Sequence, residues 1–253
     1  MQFHLKFPEL TVAVGEERLV AIPQLLQEKP ATEVIILDDA FQHRAVKAGL
    51  NIMLTEYRNL YTRDFMLPAG DLRDVRISSK RADLIVVTKS LASLDETERK
   101  NIIAEISPLP HQRVFFTTIA YGKPYHLFTK EERELESSLS VLLLCGIANP
   151  RPLKEYLTAA VQTYDLLRYP DHHIFSIDDL HDIKSQFEKI KAAGKIILTT
   201  EKDGVRLQKF ENDLRSLPVY VLPIEHRFLF EEAPVFNERV ISFIQSFPRE
   251  NFA

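Results

Sequence analysis

The sequence predicts an α/β fold with mostly parallel sheets and helices on both faces. Three observations carry that prediction. Short apolar runs of strand length recur along the chain, amphipathic helical patterns lie between them, and the runs end in polar residues, as strands buried on both faces do. With 253 residues, 45% hydrophobic and 27% charged, the chain can bury a core, and at roughly 150 residues per domain it holds one or two domains.

Taken in order, the first strand candidate is 11–14, TVAV, followed by a helix over 17–27 that repeats Leu19, Ile22, Leu25 and Leu26 on one face. The run 34–44, VIILDDAFQHR, comes next: a strand over 34–37 delivers Asp38 and Asp39 at its C-terminal end, then Gln42, His43 and Arg44. Strands at 51–54 and 84–87 precede a helix over 95–106, with its charges first and its apolar residues after. An extended run occupies 113–121, RVFFTTIAY, and a strand 141–145 leads to a helix over 152–164 that opens with proline, well tolerated at a first helical position. A helix over 177–193, a strand at 196–198, an extended stretch 219–222 followed by HRFLF, and a last helix over 233–247 complete the series. No internal repeat or low-complexity tract interrupts it.

A domain boundary is expected between about 108 and 139, with the chain crossing to a second domain through 113–121 and returning through 219–230. The alternative is that both stretches are edge strands of one continuous sheet. Basic and acidic residues, 32 and 36, are interspersed at a net charge of −4, which argues against general nucleic-acid binding. Cys145 is the single cysteine, so an intrachain disulfide and a thiolate metal site are excluded and a reducing compartment fits. No run approaches the roughly 20 apolar residues of a spanning helix, and MQFHLKFPEL lacks a signal core, so the sequence reads as neither membrane-spanning nor secreted.

Four clusters carry candidate chemistry. Asp38 and Asp39 at a strand end suit a magnesium ion beside phosphates, although a solvated loop or a receiver-type acidic pocket reads the same way. Gln42, His43 and Arg44 add an amide, an imidazole and a fixed cation within a turn. In 67–74, LPAGDLRD, Pro68 and Gly70 enforce a turn and Arg73 presents a fork donor beside Asp74; the plain alternative is a surface ion pair. In 198–203, LTTEKD, Thr199 and Thr200 read as helix caps, and Glu201 and Lys202 as a solvated first turn. In 169–173, YPDHH, the residues Asp171, His172 and His173 read as a metal half-site or a proton relay. A phosphate-cradling GxxxxGK[ST] is missing: none of the seven glycines forms the pattern.

The ordered blocks DDAFQHR (38–44), LPAGDLRD (67–74), KRADLIVVTK (80–89), GIANP (146–150), YPDHH (169–173) and TTEKDGVRL (199–207) closely resemble the tetraacyldisaccharide 4'-kinase family of lipid A biosynthesis. The resemblance implies a P-loop-kinase-like domain (1–112), a two-stranded linker (113–135), a smaller second α/β/α domain (136–222), and a return strand with a C-terminal helix (223–253). It implies transfer of the ATP γ-phosphate to the 4'-hydroxyl of lipid A disaccharide 1-phosphate, giving lipid IVA, with Mg2+ as cofactor and no nucleic acid as partner. Members attach peripherally to the cytoplasmic face of the inner membrane. By the same resemblance Asp38 and Asp39 are the Walker B pair, with Asp39 the magnesium ligand; Gln42 and His43 lie on the nucleotide side; Arg73 and His172 serve catalysis, His172 by assisting the catalytic aspartate from the second domain. Asp74 stands where the family has glutamate, one methylene longer, and Ala40 where it has glycine. The family's membrane-associating helix, P-loop and aspartate base have no counterpart in these residues, so the chain alone is expected not to phosphorylate. A non-catalytic lipid- or protein-binding remnant is the alternative.

Overall fold

In the computed structural model, which describes residues 2–147 and 149–247, the elements run α1 (Gln2–Lys6), α2 (Arg18–Glu28), β1 (Ile52–Glu56), β2 (Leu84–Thr88), α3 (Glu96–Ile106), β3 (Arg113–Tyr121), β4 (Tyr125–His126) and β5 (Ser140–Cys145). They continue with α4 (Arg151–Ala160), β6 (Thr163–Arg168), α5 (Ile177–Lys189), β7 (Lys195–Thr200), α6 (Glu201–Leu207), α7 (Glu211–Leu214), β8 (Val219–Leu222), β9 (Ile224–Phe228) and α8 (Ala233–Gln245). Ala148 of the GIANP block and residues 248–253 lie outside the described residues. The chain divides into two compact units: Ala13–Ala120 with the segment from His226 onward, and Tyr121–Glu225 with the residues up to Val12.

The first of these units holds strands in the order β1-β2-β3-β9, with β1, β2 and β3 parallel. Successive side chains of β2 and β3 enter opposite faces, as strand geometry requires. Ile85, Val87, Val114 and Phe116 pack with Ile102 and Ile106 of α3, whereas Leu84, Val86 and Phe115 meet Val235, Phe236 and Val240 of α8. Asp95 caps α3 by accepting from the Glu98 N–H.

The second unit has the strand order β4-β8-β7-β5-β6, with β8, β7, β5 and β6 parallel to their neighbours and β4 antiparallel. Here Val141, Leu143, Cys145, Ile196 and Leu198 face α4 through Leu153 and Leu157, and Leu142, Leu144 and Ile197 face Leu180, Ile183 and Phe187 of α5. From β5 the chain adds β6 on one side, then returns to add β7 on the other. The reversal makes the C-terminal ends of β5 and β7 a topological switch point, where open α/β sheets present binding crevices.

Several sequence expectations need correction. Residues 11–14 and 34–37 are not strands: apolar composition is insufficient without a neighbouring strand to take the backbone N–H and C=O groups, and Val34 and Ile36 are 46% and 87% exposed. The helix expected over 152–164 stops at Ala160, and Thr163–Arg168 becomes β6, at the edge of the sheet beside β5. The helix expected over 177–193 stops at Lys189.

Candidate functional site

In the first unit, Asp39 occupies a turn in the left-handed region, φ 49°, that follows the 34–37 run. Phe41 anchors this turn by packing against the α3 face of the sheet, with the Arg81 guanidinium 4.5 Å over its ring. Asp39 then receives a fork from Arg73: Nη1 donates to Oδ2 at 2.9 Å and Nη2 to Oδ1. This bidentate hydrogen bond holds the Asp39 carboxyl below the usual carboxylate range, against a smaller opposing effect of burial, and raises the Arg73 guanidinium in turn.

Arg73 is delivered by the predicted turn. Buried Asp64 organises it by accepting from the Phe65 N–H at 2.7 Å and the Asp71 N–H at 3.2 Å. Gly70 lies so close to the Asp64 carboxylate and the Phe65 backbone that a Cβ at that position would collide with both. The next residue, Asp74, accepts from the Val75 N–H at 2.9 Å, Arg81 Nη2 at 3.0 Å and Arg44 Nη2 at 3.2 Å. Burial pushes its carboxyl up, but the bonds from Ser78, Val75 and Arg44 outweigh that and leave it lowered.

Asp38 and His43 are exposed and Gln42 is half-buried. Among the described residues no group of three or more His, Cys, Asp or Glu side chains is arranged to hold a metal ion. The donor chemistry still fits magnesium, which commonly binds one or two protein carboxylates and completes its shell with water and substrate phosphate oxygens. Asp38 and Asp39 are two adjacent carboxylates at this turn.

In the second unit, the YPDHH and TTEKDGVR blocks meet at the switch point. Asp203 is fully buried, and its Oδ2 accepts from the Gly146 N–H and from Thr200 Oγ1, both at 2.9 Å. Thr200 also caps α6 by accepting from the Asp203 N–H at 3.2 Å, as the sequence predicts, while Thr199 donates to the Leu144 carbonyl instead. Arg206 Nη1 donates to Asp203 Oδ1 at 3.2 Å, and its Nη2 lies 3.3 Å from His172 Nδ1. Lys202 Nζ donates to Asp171 Oδ1 at 2.6 Å and lies 3.4 Å from His172 Nε2. That bond, aided by the His172 N–H and opposed by burial, lowers the Asp171 carboxyl.

The two histidines separate in role. His173 stacks on Tyr169 and bonds Asp179, the residue that completes the Ser176 capping box of α5. His172, at φ 62° with its side chain 75% exposed, is the one presented to solvent. The sequence singled out His172 as a candidate, and the structure sets Lys202 and Arg206, neither of them among the candidate site residues, on either side of its ring. Their spacing on one helix, with Lys202 and Arg206 four residues apart, was the available signal.

Residues 2–245 match the family Tetraacyldisaccharide-1-P 4'-kinase. The chain belongs to that family. A Tetraacyldisaccharide 4'-kinase of Bacteroides thetaiotaomicron is 37% identical over 265 residues, covering 99% of this chain and 70% of that protein. One from Flavobacterium johnsoniae is 43% identical over 236 residues, covering 91% of this chain and 66% of that protein. Among solved structures, the "apo" form LpxK from Aquifex aeolicus in complex with ATP aligns with a TM-score of 0.58 at 24% identity, over 87% of this chain and 60% of that one. The likeness establishes a shared α/β fold. The 4'-kinase family match encloses every site residue described above, in both units.

Proposed function

We propose that the chain serves the reaction for which its relatives are named, transfer of the ATP γ-phosphate to the 4'-hydroxyl of lipid A disaccharide 1-phosphate to give lipid IVA. The observation that carries this reading is the Asp39–Arg73 fork beside a second free carboxylate, Asp38, in a chain matched to the family over residues 2–245. A planar guanidinium that holds a carboxylate by two bonds has the geometry to hold a phosphate in the same way. Arg73 thus exchanges Asp39 for phosphoryl oxygens, releasing the carboxylate as nucleotide binds. Gln42 and His43 line the nucleotide side, and His172 assists the catalytic base. Asp38 and Asp39 would hold Mg2+, with Asp74, the residue after Arg73, as a further candidate carboxylate; the ion would neutralise charge on the phosphates.

The proposed acceptor is a lipid and the donor is ATP, which together fit a peripheral position on the cytoplasmic face of the inner membrane. No helix among the described residues is long and apolar enough to cross a membrane. Phosphoryl transfer depends on positioning and on charge neutralisation, and these 253 residues contain no GxxxxGK[ST] run. By themselves they bind the lipid acceptor but do not turn over. This also keeps a second reading, a lipid-binding module without catalysis.

The test combines a binding and a turnover measurement on the 253-residue chain. Vesicles carrying lipid A disaccharide 1-phosphate should retain it more strongly than vesicles without that lipid, and radiolabelled ATP with Mg2+ should give no labelled lipid. Absence of lipid-dependent retention overturns the proposed substrate, and robust labelling overturns the proposed inactivity.

A further inference from the structure

The imidazole of His172 is flanked by two cations, and their supports differ. Arg206 is a planar fork whose other nitrogen is tied to Asp203, and Asp203 is itself fully buried and tied to the Gly146 N–H and Thr200. The guanidinium therefore points at Nδ1 from a fixed base, 3.3 Å away, and can only donate. Lys202 is a flexible ammonium with its short bond, 2.6 Å, already made to Asp171. It lies 3.4 Å from Nε2, and the Asp171 carboxylate Oδ2 lies 3.7 Å from that same nitrogen. A neutral imidazole accepts at one ring nitrogen and donates at the other, and the partner of the first decides the role of the second.

We infer that Arg206 is the positioning residue that fixes His172 as the Nε2–H tautomer, Nδ1 accepting from Arg206 and Nε2–H offered as a hydrogen-bond donor to an oxyanion, while Lys202, committed to Asp171, does not set it. On the Nε2 side the ammonium is already bonded to Asp171 and a carboxylate oxygen stands beside it, which agrees with a proton there, whereas the Nδ1 side holds only a donor. The ring then works by donating to a carboxylate or phosphate oxygen, and Nε2 does not receive the proton of the attacking hydroxyl. The catalytic meaning rests on the proposed kinase reading; the tautomer does not.

Long-range 1H–15N spectra of the imidazoles in the uniformly labelled chain, recorded at alkaline pH, read the tautomer directly, with His172→Gln identifying the signal among the eight histidines. The expected pattern is an unprotonated Nδ1 and a protonated Nε2. Arg206→Met should abolish the single-tautomer pattern, Arg206→Lys should restore a donor and much of the preference, and Lys202→Met should leave the tautomer unchanged. A wild-type spectrum with the proton on Nδ1, or one that Arg206→Met leaves unaltered, overturns the assignment. Should Arg206→Met fail to fold, the wild-type and Lys202→Met spectra still decide. Because neither ATP nor lipid is present, failure of the kinase reading and failure of the tautomer are separate outcomes.

Discussion

Asp39 and Arg73 hold each other with good geometry in a wet place, their side chains being 63% and 52% exposed. Water screens such a pair, so Asp39→Asn should lower stability by no more than about 1 kcal/mol, read as a shift in the urea midpoint at neutral pH. The folded carboxyl titrates below its ordinary 3.8, so the contribution is complete above that value and is lost as pH falls through the lowered one. Gly70→Ala should cost more, about 1–3 kcal/mol in the same measurement, because the added Cβ meets backbone and the carboxylate of buried Asp64, which cannot swing aside. The turn itself was legible in Pro68 and Gly70. The organising role of Asp64 was not, since nothing local distinguishes that aspartate from its exposed neighbours.

Among the elements, helix N-termini follow sequence most closely. Ser176 both caps α5 and exchanges bonds with Asp179, so Ser176→Ala should cost about 1 kcal/mol by chemical denaturation. In β9, His226 shares a 3.1 Å hydrogen bond with buried Thr117 of β3. Burial, helped by the charge of Lys89, lowers its pKa below the ordinary 6.5. The unfolded chain therefore takes up the proton first, and this contribution is complete above about 6.5 and declines as pH falls. Melting temperature should drop between about pH 7.5 and about pH 5.5, with a shallower drop in His226→Gln. The extents of β3 and β8 were legible because both are long apolar or aromatic runs. Those of β6 were not: TYDLLR carries polar residues at an edge and continues the pattern of the helix before it.

For the whole molecule, a crossing was expected through 113–121 and 219–230 because two extended runs bracket a complete β-α series. Which strand ends come together was not readable, because it depends on strand order. That is why Lys202 read as part of a solvated helix start and Asp203 and Arg206 drew no role. The first unit also exposes large apolar side chains, Val14 at 96%, Ile36 at 87% and Leu54 at 67%, with Leu54 on the edge strand β1. Exposed apolar surface of this kind promotes association. Light scattering should show concentration-dependent growth in particle size, and Ile36→Lys with Leu54→Lys should reduce it.

Asp203 ties the end of β5, the cap of α6 and the guanidinium beside His172 to one carboxylate, which sets the terms on which this region can diverge. A Cβ on Gly146 would lie 2.9 Å from Asp203 Oδ1, so drift at position 146 displaces the knot as surely as drift at 203. Positions 146, 200, 203 and 206 should therefore vary as a linked set across related chains, each change accompanied by a compensating one, while His172, a solvent-facing residue, inherits their constraint without touching most of them.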